Sequence, residues 1–441
     1  METAALDRIQ QALEAHPGVQ DWTLRETQQD STQLYLIKTE PEAVRLAHTM
    51  RYDLDIYHDH DGGRGAAGIS LQPGELGLLA ARLDEAVYLA GLTHNPPYTL
   101  PPAAATYPAV ESWDAAIGTP AAAAQVARDL AAEVRVALAA ETGVRLSSME
   151  LFLDSATIVL RTSTGVAATR QGTRAECELV VTSRDAAGAE SEAHDLWTRR
   201  RAADLDPAGR AVRQAGYARD SLRATLPTGE AALVVLPAET MLPFFEAVAF
   251  RSSAGARYRD ATPWQVGAPI AERSAEGGPF DRLDLASDAT LPYGLETRAF
   301  DDGGLPARRF SLISDGRLQR YWAGQRYADY LGIEATGGVA NWVLAPGPRA
   351  AAALLQPGDR PLIEVVTFSW LNPDDITGEF VGEIRLGYRI TRDGRVPIKG
   401  GAVSGNVFAA LLHAQFSRET VRLGNYEGPA VCRFHGLDVA G

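Results

Sequence analysis

The sequence predicts an α+β fold in two domains, an N-terminal mixed α/β domain over residues 1–226 and a β-rich, barrel-like C-terminal domain over 227–441. Three observations carry that reading. The length of 441 residues is about two or three times ordinary domain size. The first half mixes capped helical stripes with short apolar strands. Beyond residue 227 the pattern changes to short β-rich runs broken by Gly and Pro.

Taken in order, Met1 to Gln20 reads as a polar amphipathic helix interrupted by Pro17, and Leu34 to Lys38 as a strand. Leu76, Leu79, Leu83, Val87 and Ala90 recur at spacings of three and four, one face of a helix that Gly91 would cap. Asn95 to Thr119, rich in Pro and Ala, is a surface connection. A second helix starts at the Thr119 cap with Pro120 in its first turn. Its stripe is Val126, Leu130, Val134 and Leu138, and it ends near Gly143. Met149 to Leu153, Thr157 to Arg161 and Cys177 to Thr182 follow as strands. Asp206 and Pro207 open a helix to about Thr225, whose Arg210, Arg213, Arg219 and Arg223 mark a solvated or interface-lining face. The turn Pro227-Thr228-Gly229 is the domain boundary.

The second half opens with a strand, Ala232 to Leu236, and a helix, Glu239 to Phe250. Leu362 to Trp370 and Glu379 to Ile390 are long strands, and Asp393-Gly394 turns the chain back onto Val396 to Lys399. A last helix, Asn406 to Phe416, precedes a C-terminal strand.

Composition excludes several classes. Fifty-six acidic against 42 basic residues give a net charge of -14, which argues against direct nucleic-acid binding. Two cysteines 255 positions apart, Cys177 and Cys432, make neither a disulfide framework nor a Cys-rich zinc site. With no basic leader and no run of about 20 apolar residues, the chain reads as soluble and cytoplasmic, without a membrane partner.

Four clusters invite chemistry. His58 and His60 share one face of an extended chain and so are candidate metal ligands, but the following Gly62-Gly63 favours an exposed hairpin. The doublets Asp301-Asp302 and Asp374-Asp375 sit beside Gly or Pro and suit turns better than acid/base pairs. Ser404 lacks a nucleophile elbow, and either Ser404 or Asn406 reads as the cap of a helix start. His413, inside the last helix, His435 and Cys432 read as structural, Cys432 as a buried thiol.

The C-terminal half is more specific. Phe300-Asp301-Asp302-Gly303-Gly304-Leu305-Pro306, followed by Leu312-Ile313-Ser314-Asp315-Gly316-Arg317-Leu318, resembles the "fDdeGvp … lie.G.l" block of the TldD/PmbA peptidase family. Thr336-Gly337-Gly338-Val339 stands where that family has Thr-Gly-x-Ala. Ile376-Thr377-Gly378-Glu379-Phe380, Pro397-Ile398-Lys399-Gly400 and Val403-Ser404-Gly405-Asn406 follow in the family's order. The end, Gly436-Leu437-Asp438-Val439-Ala440-Gly441, is similar to the terminus of its PmbA (TldE) branch. Upstream, the run from Ala90 to Tyr98 resembles "A-x-L-x-x-x-x-P-Y".

In the catalytic TldD branch a His-Glu-x-x-x-His helix binds zinc with its two histidines, and the Glu serves as general base. The matching stretch here is Phe245-Glu246-Ala247-Val248-Ala249-Phe250. Phe245 and Phe250 occupy the ligand positions, and a phenyl ring has no lone pair for zinc. The resemblance therefore implies a non-catalytic subunit with no cofactor of its own, zinc being expected in a TldD-like partner. The implied substrates are unfolded or flexible peptides. Thr336, Gly337 and Asn341 are candidate peptide-binding or interface positions. The alternative is a self-associating homodimer that binds peptides and takes no part in proteolysis.

Overall fold

The computed structural model describes residues 2–228, 232–272 and 278–441. Met1 of the first helix and Gly229 of the boundary turn lie outside the described residues. The first part of the chain runs α1 (Glu2–Ala15), β1 (Asp21–Ile37), β2 (Glu40–His60), β3 (Gly63–Leu71), α2 (Leu79–Ala90), α3 (Pro120–Ala139), β4 (Val144–Thr162), β5 (Ala167–Arg184), β6 (Glu190–Arg199) and α4 (Pro207–Leu222). Its six strands form one antiparallel sheet in the order β3-β2-β1-β4-β5-β6.

This sheet departs from the sequence reading. Met149–Leu153 and Thr157–Arg161 are one strand, and the Leu34–Lys38 run is only the end of β1. Polar residues such as Thr27, Gln28, Gln29 and Asp30 hide the strand pattern, because they sit mid-sheet with half-buried side chains. The helices lie over one face in two groups. α1 and α2 cover Leu24, Leu54 and Ile56, while α3 and α4 cover Leu34, Leu151, Cys177 and Leu179. Thr119 caps α3 by accepting from the Ala122 amide, and Asp206 caps α4 by accepting from Gly209. The buried stripe of α3 is Ala123, Ala127, Ala131, Val134 and Leu138, with Val126 and Leu130 half-buried at its flank. Those small residues share one core with Ala211 and Ala215 of α4, and the two helices pack together.

The second part comprises β7 (Leu233–Pro237), α5 (Ala238–Met241), α6 (Phe244–Arg251), α7 (Ala254–Tyr258), β8 (Leu285–Asp288), β9 (Arg309–Ser314), β10 (Arg317–Leu318), α8 (Gln325–Leu331), β11 (Asn341–Leu344), α9 (Ala351–Leu354), β12 (Leu362–Leu371) and β13 (Glu379–Thr391). It continues through β14 (Gly394–Ile398), β15 (Ala402–Asn406), α10 (Val407–Leu412), β16 (Ala414–Phe416), β17 (Thr420–Leu423), β18 (Tyr426–Pro429), β19 (Val431–Phe434) and β20 (Asp438–Ala440). One sheet has the order β10-β9-β8-β11-β18-β17, the other β16-β19-β7-β12-β13-β15-β20 with β14 also on β13. β13 alternates as a half-buried strand should: Phe380, Ile384 and Leu386 point inward, Val381, Glu383 and Arg385 outward. The core is apolar side chains of both sheets and of α6 and α10.

Two expected helices are shorter. Pro243 splits Glu239–Phe250 into α5 and α6, because proline breaks the helical ladder. The last helix ends at Leu412, and Gln415 and Phe416 pair with β19 as β16. His413 is thus a C-cap, and Asn406, not Ser404, is the N-cap, accepting from the Phe408 and Ala409 amides.

The strap Asn95–Thr119 ties the two parts together. Thr99 donates through its amide and hydroxyl to Asp329 of α8, Arg326 donates to Asn95, and Tyr330 donates to the Pro96 carbonyl. Tyr98 lies edge-on between Tyr57 and Tyr330, with the guanidinium groups of Arg64 and Arg326 over its ring.

His435 supplies a pH dependence. Burial lowers its pKa below the usual imidazole value, and Arg360, Arg433 and His413 add to the effect. The folded state therefore favours the neutral ring, so its contribution is present above about pH 6.5 and is lost as pH falls through that value towards the lower folded pKa. The urea midpoint should fall between roughly pH 7 and 5 in the parent, and less steeply in His435→Gln. Identical slopes would remove His435 as the cause.

Candidate functional site

α6 lies at the heart of the C-terminal core. Phe245 is fully buried and stacks on Trp342 at 5.5 Å and on Tyr426 at 5.6 Å. Phe244 packs on Phe380 at 4.9 Å and Phe434 at 5.9 Å. Glu246 is exposed, and Phe250 is only half-buried. Five helical residues turn about 140° past a full circle, so Phe245 and Phe250 leave the helix in different directions. Phe245 is thus a core ring and Phe250 a marginal one.

The other candidate ligands are dispersed. Cys432 is buried on β19, where burial raises its thiol pKa well above the usual range. His58 and His60 do share a face, stacked at 5.5 Å beside the Asp61-Gly62 turn. Their ring nitrogens bond to the Gly18 and Thr93 carbonyls at 2.8 and 2.9 Å. Among the described residues no three His, Cys, Asp or Glu side chains are placed to hold a metal ion.

A cleft of about 640 Å³ that joins the two parts lies beside the start of α6. On one side is β6, the last strand of its sheet, bonded among the described residues only to β5. On the other is the outer half of β12. Among the described residues β7 pairs with Leu362, Ile363 and Glu364 only, so Val366 to Leu371 have β13 on one side and no described strand on the other. Two sheet edges thus border the cleft, and Leu242 and Pro243 lie in its lining. α4 adds a charged wall. Arg210 is buried, which suits the interface-lining alternative and not the solvated one, and its guanidinium lies 4.6 Å from the Trp197 ring. It donates to Asp195 at 2.9 Å and to Glu239. Arg213 reaches the same two carboxylates at 3.5 and 3.6 Å, and Gln214 donates to Asp195 at 3.1 Å.

A smaller cavity of about 260 Å³ adjoins this cleft, lined by Asp154, Arg170, Arg174, Arg200, Glu296 and Arg298 among others. Arg200 works as a staple. It donates to the Thr173 carbonyl at 2.9 Å and to the carbonyls of Gly294, Leu295 and Thr297 across the junction. Burial pulls its pKa down to about 10, Glu296 acting in the opposite sense.

Residues 228–441 match the PmbA/TldA metallopeptidase C-terminal domain. The C-terminal part of the chain belongs to the PmbA/TldD family. Its whole-chain fold is similar to that of TldE from Thermococcus kodakarensis, with a TM-score of 0.81 at 16% identity, covering 99% of this chain and 100% of that one. A candidate modulator of DNA gyrase from Bacteroides thetaiotaomicron gives a TM-score of 0.83 at 19% identity over 100% of this chain and 98% of that one. Another from Thermotoga maritima gives 0.81 at 18%, covering both chains completely. In sequence, an uncharacterized protein of Methanocaldococcus jannaschii is 23% identical over 159 residues, 34% of this chain and 38% of that protein's length.

The PmbA/TldD blocks now acquire physical roles. Asp301 closes its turn by accepting from the Gly303 and Leu305 amides, and burial raises its pKa. Burial also opposes ionisation of Asp302, yet Arg170 and Arg25 hold its carboxyl below the usual value. Asp302 thereby links this block to two guanidinium groups of the N-terminal sheet, Arg25 at 3.0 Å and Arg170 at 2.5 Å. Asp374 accepts from the Ile376 and Thr377 amides, a turn as expected.

Thr336, Gly337 and Asn341 do not gather at the cleft. The Thr336 hydroxyl accepts from the Ala323 amide and donates to the Gly337 carbonyl, while Gly337 has a φ of +74° that favours glycine. Asn341 is completely buried. Its Oδ1 accepts from the Glu296 amide, and its Nδ2 donates to the Asp288 carbonyl and Thr297 hydroxyl. These bonds hold the loop that carries Gly294, and both Nδ2 donors of the buried Asn341 are spent on them. The cleft arginines at the end of β6 had no sequence signal, because only the fold brings β6, α4 and α5 together.

Proposed function

We propose that this chain is the metal-free, PmbA/TldE-like subunit of a heteromeric peptidase. A TldD-like subunit would supply the zinc centre, and this chain would stabilise it and hold a flexible peptide. The observation that carries the reading is Phe245. The side chain in the first ligand position is an aromatic ring at the centre of a stack, with no donor for a metal. Zinc in the partner would polarise the scissile carbonyl and activate water. This chain's task is binding: the free edges of β6 and β12 offer amides and carbonyls to an extended peptide, which main-chain pairing holds without demanding one sequence.

The test is reconstitution. Flexible peptides should be cleaved only when this chain is mixed with a family member that keeps the His-Glu-x-x-x-His helix, and a chelator should abolish cleavage. The purified chain alone should carry no stoichiometric zinc. Chelator-sensitive hydrolysis by the isolated chain would overturn the proposal. Because one chain builds the whole cleft, a second reading is a homodimeric peptide-binding module; peptide binding by a stable homodimer that ignores every such partner would favour it.

A further inference from the structure

The charges at the end of β6 do not balance. Arg199, Arg210 and Arg213 stand beside two carboxylates, Asp195 and Glu239. Arg210 takes both, and Arg213 shares them at longer range. Asp204, the next carboxylate, is held by two nitrogens of Arg201. Arg199 therefore forms no ion pair among the described residues. Its one described side-chain bond runs to the carbonyl of the adjacent Thr198, at 2.9 Å.

Its position makes that surplus charge useful. Arg199 is the last residue of the free edge strand, and it lines both the 640 Å³ cleft and the neighbouring lobe of about 710 Å³. Burial and the charge of Arg210 disfavour its cation more than Glu239, Asp195 and Asp204 at longer range favour it, lowering its pKa to about 10. A partly desolvated guanidinium with no carboxylate in ion-pair contact is costly, and a planar carboxylate is its best geometric match. The chain as a whole is acidic, so this is a local positive site on a negative molecule.

We propose that Arg199 receives a carboxylate from a peptide laid along β6, so that the cleft selects extended acidic peptides. The inference rests on the cleft being the peptide groove. Main-chain pairing supplies affinity, and Arg199 supplies a preference at one position, because alternate side chains of an added strand return to the same face. The carboxylate comes either from an Asp or Glu side chain or from the peptide's own C-terminus.

Fluorescence anisotropy on the full chain separates these cases with three labelled peptides of Thr and Val. One has a central Glu and an amidated C-terminus, one has Gln in place of Glu, and one has Gln with a free C-terminal carboxylate. At least one carboxylate peptide should bind about tenfold more tightly than the amidated Gln peptide, the size expected for a charged hydrogen-bonded pair. Which one gains identifies the source. Arg199→Gln should erase the difference, and Arg199→Lys should keep part of it, which also shows that the site remains folded. Equal binding of all three peptides, or a preference that survives Arg199→Gln, overturns the carboxylate role alone. Failure of every peptide to bind overturns the groove itself as well.

Discussion

Truncating Phe245 to alanine should cost about 3–5 kcal/mol of stability, the range for deleting a fully buried aromatic side chain. Phe245 fills the space between Trp342 and Tyr426 and is among the largest completely buried residues, so little solvent-side relaxation is open to it. Phe250→Ala should cost about 1 kcal/mol, because that ring is half-buried. The more informative variant is Phe245→His, which restores the ligand type of the catalytic branch. An imidazole there buries polar nitrogens in an aromatic stack, a cost of roughly 1–3 kcal/mol before packing is counted. Zinc should not recover it. Urea unfolding with and without zinc checks both points, and a Phe245→His chain that zinc stabilises would show that the metal site is only one residue away.

Replacing Arg200 with alanine should be comparably severe, about 3–5 kcal/mol, because it strands buried carbonyls on both sides of a junction. Thr173 belongs to β5 and Gly294, Leu295 and Thr297 to the loop that Asn341 pins, so one guanidinium joins residues more than 90 positions apart. Gly294 must be glycine for the same contact: a Cβ there would lie 2.4 Å from Asn341 Oδ1. Arg200→Lys should recover little, since an ammonium is a point charge and cannot fork between several acceptors. Thermal unfolding measures the loss, and limited proteolysis should begin within residues 292–298 in the variant. An Arg200→Lys protein as stable as the parent would refute the staple.

What the sequence disclosed follows from how far each signal reaches. Local signals were reliable. Thr119-Pro120 and Asp206-Pro207 begin helices because cap and first turn are adjacent in the chain. Glu379 to Ile390 forms a strand because one face is core and the other water. Where both faces are half-buried, as in Thr27 to Asp30, alternation vanishes and β1 was visible only at its apolar end. Gln415 and Phe416 continue the pattern of a helix, but pairing with β19 claims them. The altered α6 motif was legible as a string of letters. The cleft was not, because Arg199, Glu239 and Phe368 meet only through tertiary structure.

The strap at Asn95–Thr119 also has a consequence for synthesis. Thr99 finds Asp329 only 230 residues later, so its docking surface does not exist while the N-terminal sheet is emerging from the ribosome. At roughly 5–20 residues per second, Tyr57 and Tyr98 wait on the order of 10–45 s for Tyr330. During that interval a nascent chain presents an aromatic patch flanked by Arg64, and this is the stage at which a chaperone or a misdirected neighbour would find it first.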